Sequence, residues 1–277
     1  MFYKKPFEMT KRISSFLGLL ILTIGCSKNP LTGKSQFTLL PESEVQTMAT
    51  QQYQEFLSTN KVVTSSGNRD VEMVKRVGQR ITKAVEIYYS EHGISDKLAG
   101  FKWEYNLVDD KAVNAWCMPG GKIVVYTGLL PITQNEAALA AVMGHEVSHA
   151  LLQHGNQRMS QGLAQQLGGV ALSVAVANKP RETQNLFLGA YVAGTTVGIL
   201  LPFSRSHELE ADKYGLIFAA SAGYNPQEAI PLWERMEKAS SGQKPPEFLS
   251  THPSEGKRIE QLKKLMPEAL KYYKPMK

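Results

Sequence analysis

Cysteine is nearly absent: Cys26 and Cys117 are the only two in 277 residues. That excludes a disulfide-built scaffold and a zinc finger made of cysteines. Internal repeats and low-complexity tracts are missing as well. The apolar run near the N-terminus, Ile13 to Ile24, falls short of the roughly 20 residues an ordinary membrane-spanning helix needs. Excess charge is also small. The formal net charge is +6, and residues 1–25 supply +3 of it through Lys4, Lys5, Lys11 and Arg12 against Glu8. The other 252 residues hold 27 basic and 24 acidic groups, too even a balance for a nucleic-acid partner. What is present, 43% hydrophobic and 20% charged residues, is the composition of one good-sized globular domain.

The N-terminus reads as an address. Twelve residues that are basic overall precede a 12-residue uncharged run, Ile13 to Ile24, closed by Gly25-Cys26. A positive segment followed by a short apolar one is the pattern of an export signal. Gly25 directly before Cys26 resembles a bacterial lipoprotein cleavage site, which would make Cys26 the lipidated first residue. Thr23 departs from that pattern, which usually has Leu there. An ordinary signal peptide and a retained anchor are the alternatives. Ser27 after the cysteine resembles lipoproteins sent to the outer membrane. The expected layout is a signal peptide over 1–25, a lipidated tether over 26–40 and one domain over 41–277. The expected place is the cell envelope, at the outer membrane facing the periplasm.

Periodicity then sets the elements. A first helix is expected from about Pro41. Val71, Val74, Val77, Ile81, Ala84, Val85 and Tyr88 have the 3–4 spacing of an amphipathic helix over 70–89. Phe101, Trp103, Tyr105 and Leu107 alternate as in a half-buried strand, and Lys122 to Thr127 is a second strand after the Pro119-Gly120-Gly121 turn. Thr133 and Glu136 form a capping box that opens a helix running to about Gln153, with Gly155 as its C-cap. Further helices are expected from Ser204 or Ser206 to about Ala220, from Asn225-Pro226, and over 255–271. The apolar stretches 167–177 and 186–203 are expected as core helices behind or over the site; the second, with 18 uncharged residues, is at the lower limit for a membrane span.

His145-Glu146-Val147-Ser148-His149 carries the chemistry. Histidines four apart share one helix face, so both imidazoles can hold one Zn²⁺ while Glu146 reaches the open coordination position. A catalytic zinc needs a third protein ligand. Glu208-Leu209-Glu210-Ala211-Asp212 offers one on another expected helix. Glu208 and Asp212 share a face, so Glu208 can ligate while Asp212 hydrogen-bonds a ligand histidine; Glu210 is the weaker choice. Without the histidine pair, these acids would read as a solvated helix face. His92, His154 and His207 are not expected as ligands.

Four stretches resemble a family of zinc metallopeptidases that includes HtpX, Oma-type and BepA-like proteases and the CAAX prenyl endopeptidases. They are 114–130 (NAWCMPGGKIVVYTGLL), His145–His149, 204–215 (SRSHELEADKYG) and 251–259 (THPSEGKRI). The resemblance implies an α+β, mostly helical, zincin-like (gluzincin) core. In it, a small mixed sheet lines the cleft with its edge strand. It also implies one Zn²⁺ per chain on His145, His149 and Glu208, and Glu146 as general base. His252 and Arg258 match positions beside the transition-state oxyanion, where a donor or cation stabilises developing charge. Gly121, Lys122, Ile123 and Val124 become the edge that holds substrate. Such an edge grips extended chains by main-chain hydrogen bonds, so unfolded or extended polypeptides are the expected partners, with the membrane reached through the lipid. The expected function is hydrolysis of peptide bonds in unfolded or misassembled envelope proteins. The alternative is a chaperone-like or assembly-assisting lipoprotein whose protease site is latent.

Overall fold

The computed structural model describes residues 26–64, 67–177, 181, 201–240, 246–252 and 257–275. The expected signal segment and residues 186–200 of the second apolar stretch lie outside them. Helix α1 (Glu42–Thr59) starts behind Pro41. Helix α2 (Arg69–Glu91) is capped by Asn68, whose side chain accepts the N–H groups of Asp70 and Val71. Its 3–4-spaced apolar residues, from Val71 to Val85, are buried as their period predicts.

Three strands follow: β3 (Glu104–Val108), β4 (Ala115–Met118) and β5 (Lys122–Tyr126). The sheet order is β3-β5-β4, with β5 parallel to β3 and antiparallel to β4. Val124 packs with Tyr53 of α1 on one face, while Ile123 and Val125 join the main core with α2 on the other. A strand buried on both faces reads as a continuous apolar run, as KIVVY does.

The order corrects one expectation. Lys122, Ile123 and Val124 belong to the middle strand, whose main chain pairs with Glu104–Asn106 on one side and with Trp116–Met118 on the other. Gly121 lies in the hairpin turn at φ +85°, its N–H bonded to Met118 O. The end strands are β3, which carries a bridge from Val108 to Val62, and β4, whose outer side pairs with no strand among the described residues and which is too short at four residues to show a period.

Residues 26–40, the expected tether, hold two short strands. Strands β1 (Cys26–Lys28) and β2 (Ser35–Phe37) pair as a hairpin fastened to the domain. Gln36 Nε2 donates to Leu152 O at 2.6 Å, and Leu39 N–H to Ser160 Oγ at 2.7 Å.

After a single helical turn, α3 (Leu130–Thr133), comes the central helix α4 (Glu136–Leu151). Its cap is Asn135, which accepts Ala138 N–H at 2.8 Å; Thr133 instead bonds back to Leu130 O. The helix is broken by Gln153 at φ +58° rather than by Gly155, and α5 (His154–Val176) leaves in a new direction. Beyond its first turns α5 is not core: Leu167 and Val170 are more than 60% exposed. Helix α6 (Leu201–Ser221) begins before either expected serine cap. Helices α7 (Ala229–Ser240), α8 (Glu247–Thr251) and α9 (Arg258–Ala269) complete the fold. Among the described residues no helix is long and apolar enough to cross a membrane.

Helices α4 and α6 touch backbone to backbone. A Cβ on Gly144 would lie 2.7 Å from Gly215 O, and one on Gly215 would lie 2.7 Å from His145 N. That contact sets how near the two motif-bearing helices stand.

Candidate metal centre

His145 and His149 project from one face of α4, and their Nε2 atoms converge to 3.0 Å. Glu208 on α6 brings Oε2 to 3.3 Å from His145 Nε2 and Oε1 to 3.4 Å from His149 Nε2. Ligand atoms on a tetrahedral zinc with bonds of about 2.1 Å stand roughly 3.4 Å apart, so this triangle is nearly the size the ion needs. His252, at the end of α8, adds a fourth donor; one atom from each of the four buried residues lies within 4.8 Å of the others. The backbone fixes His252 there, since its N–H bonds Phe248 O and Phe248 N–H bonds Val113 O just ahead of β4.

Electrostatics favour a cation at this point. Burial raises the Glu208 carboxyl, but hydrogen bonds from His145 and His252 outweigh it and hold the group ionised, well below the usual carboxylate range. Burial, then the neighbouring His145, push His149 far down, leaving a neutral imidazole. Glu146 is pushed up to about 7, chiefly by burial. Its Oε1 is buried without a hydrogen-bond partner and stands 3.4 Å from His252 Nε2. A nitrogen-nitrogen-oxygen donor set beside an orphaned carboxylate fits zinc.

Asp212, one turn beyond Glu208 on α6, accepts from His145 Nδ1 at 3.0 Å, as the sequence predicts for an orienting carboxylate. Arg258 departs from expectation. It is 3% exposed, with NH1 on Glu208 Oε2 at 3.0 Å and NH2 on Asp212 Oδ1 at 2.6 Å. Its guanidinium lies over the Trp233 ring, 3.7 Å from the centroid. The side chain therefore braces Glu208 and Asp212, and its NH2 also stands 3.0 Å from His145 Nδ1. These contacts place the guanidinium on the two carboxylates, where the resemblance had put it beside the oxyanion.

In front of the cluster opens a cavity of about 200 Å³ lined by Trp116, Cys117, Glu146, His149, Arg158 and His252. Its wall is β4, not β5. Sequence reasoning also passed over His154. A helix continued past His149 would turn residue 154 away, but the break at Gln153 swings it back until its Nδ1 is 2.9 Å from His149 Nδ1. Glu210, no ligand, bonds His154 and Lys34, and these partners outweigh burial to hold its carboxyl near 2.

Comparison with known proteins settles the family. The profile of peptidase family M48 matches residues 74–266. The chain belongs to peptidase family M48. Over 97% of its length it is 33% identical to the mitochondrial metalloendopeptidase OMA1 of Bos taurus, covering 51% of that protein. It is 35% identical to the mitochondrial metalloendopeptidase OMA1 of Saccharomyces cerevisiae over 69% of this chain and 55% of that one. The beta-barrel assembly-enhancing protease of Escherichia coli is 31% identical over 57% of the chain and 33% of its own length. The chain thus spans about half the length of the mitochondrial relatives. These matches correct the expected outer-membrane, periplasm-facing location: relatives matched over most of this M48 chain are mitochondrial by name, and the bacterial match covers less of it. Family and donor set agree on a zinc metallopeptidase domain.

Proposed function

We propose that this M48 chain is a zinc metalloendopeptidase that hydrolyses peptide bonds in unfolded or extended polypeptides. The observation that carries the reading is Glu146, a buried carboxylate with a free Oε1, beside a triangle of His145, His149 and Glu208 donors. His145, His149 and Glu208 would hold the zinc. Bound there, it supplies Lewis-acid chemistry at an open position and lowers the pKa of water toward about 7. Glu146 takes a proton from the attacking water and returns it to the leaving amine. His252, with Nε2 facing Glu146, is placed to donate to the charge that develops on the substrate oxygen.

Substrate binding follows from the sheet order. Asn114 O accepts Tyr126 N–H at 3.1 Å, and antiparallel pairing alternates, so Cys117 turns its main-chain groups away from β5 toward the open edge. An extended peptide can add to that edge as a further strand, which supports substrates chosen by unfolding rather than by sequence. Cys117→Pro removes the edge donor while sparing the pairing with β5. It should raise KM for unfolded casein with zinc content intact, and an unchanged KM would remove β4 as the docking edge.

Attachment to a membrane through a lipid on Cys26 belongs to the same proposal and rests on the sequence pattern of residues 1–26. Mass spectrometry of the N-terminal peptide tests it, and an unmodified Cys26 ends it. One observation favours a second reading, in which the site rests closed and the chain assists assembly more than it cuts. His252 Nδ1 stands among the ligands, 3.3 Å from His145 Nε2.

A further inference from the structure

The two histidine ligands are supported in different ways. His145 is held directly by the Asp212 carboxylate. His149 has no carboxylate on its outer nitrogen; it meets another histidine. His149 Nδ1 and His154 Nδ1 are 2.9 Å apart, His154 Nε2 is 3.4 Å from Glu210 Oε2, and Lys34 Nζ donates to Glu210 Oε1 at 2.6 Å. Resting on the zinc assignment above, we propose that His154 is a positioning residue for His149, passing the hold of the Glu210 carboxylate to that ligand through its own ring.

The chemistry gives every bond in this chain one direction. A neutral imidazole carries one proton, and a histidine that offers Nε2 to a metal must carry it on Nδ1. His149 Nδ1–H therefore donates to His154 Nδ1. His154, having accepted there, carries its own proton on Nε2 and donates it to Glu210. The result is a carboxylate–histidine–histidine relay that fixes the tautomer and ring plane of the ligand, as a direct carboxylate does for His145. The packing fits such a role. His154 is fully buried, and its ring stacks on His207 at 4.1 Å between centroids and 13° between planes. His207 Nε2 lies 3.3 Å from Gln157 Oε1, and Gln157 Nε2 donates to Leu152 O, so the supporting ring is tied to the turn between α4 and α5. Because Lys34 closes the relay, the N-terminal hairpin is part of the ligand's support.

The test uses the full chain stripped of metal. Zinc affinity is measured by competition with a chromophoric chelator, and the ligand field is read from the visible absorption of the cobalt-substituted protein. His154→Phe keeps the ring and the stack but removes both nitrogens. It should lower zinc affinity by about tenfold or more, the usual cost of losing such support, and shift the cobalt bands. Glu210→Gln should lower affinity less. The double variant should be no weaker than His154→Phe alone, because both act along one chain of bonds. Unchanged affinity and cobalt bands in His154→Phe, or additive losses in the double variant, would overturn the proposal. Should His154→Phe not fold, Glu210→Gln decides by the same two measurements. Wild type that binds no zinc takes the metal assignment down as well; wild type that binds zinc beside unaffected variants refutes only the relay.

Discussion

Gly215→Ala is a one-carbon change that should loosen the metal centre without touching a ligand. The new Cβ would lie 2.7 Å from His145 N and 2.8 Å from His145 Cα, about 0.7 Å short of the 3.4 Å at which ordinary contact begins. Both neighbours are backbone of α4, so no side chain can swing away. Alanine is worth about 1 kcal/mol more than glycine inside a helix. Overpacking costs about 1–3 kcal/mol where flexible groups can give, and here the obstacle is rigid. The clash wins, and α6 must move off α4 by several tenths of an ångström. Zinc sites tolerate about 0.2 Å in their bonds, and Glu208 rides on α6 while both histidines ride on α4. Zinc affinity should therefore fall at least tenfold, with a lower Tm both with and without zinc. Chelator competition and thermal unfolding measure the two effects. A Gly215→Ala chain that binds zinc like wild type and melts no lower would refute the claim that this contact sets the ligand spacing.

Three further outcomes follow from the buried charges. Glu146 has a folded pKa raised by burial from 4.5 to about 7, so its stabilising neutral form is lost as pH rises through 7. In the zinc-free chain, Glu146→Gln should be more stable than wild type by roughly 3 kcal/mol at pH 8 and no more stable at pH 4, and parallel pH curves would refute the raised pKa. Arg258→Met leaves Glu208 and Asp212 buried without their cation, so the zinc-free chain should lose about 3–5 kcal/mol and zinc binding should weaken. A fall in kcat with stability and zinc affinity intact would instead return Arg258 to the oxyanion. His252→Ala should lower kcat by about tenfold or more with zinc retained; faster cleavage with weaker zinc binding would favour the closed resting site.

The metal triangle was legible because helix period and ligand chemistry are local. His145 and His149 need only the spacing of one helical turn, and Glu208 and Asp212 repeat it on a second helix. The core face of α2 was legible for the same reason. Strand order was not: KIVVY shows that β5 is buried, but a fully buried strand has neighbours the sequence does not name. The open edge fell to β4, where AWCM has no alternation to read. The helix end near Gln153 was legible, but His154 was set aside because the left-handed turn there, which swings its ring back against His149, was not. Arg258 was placed by resemblance alone; its partners lie 46 and 50 residues away in sequence and only the fold brings them together.

The central claim is that the His145–His149–Glu208 centre cuts peptide bonds with Glu146 as its base. Digestion of unfolded casein by the purified chain and by Glu146→Gln, with zinc per chain determined on the same samples, tests it most directly. The account predicts one zinc per chain in both proteins and cleavage by wild type alone, the variant slowed by about 10²–10⁴. Equal cleavage by the variant, or a chain that takes up no zinc, would contradict it.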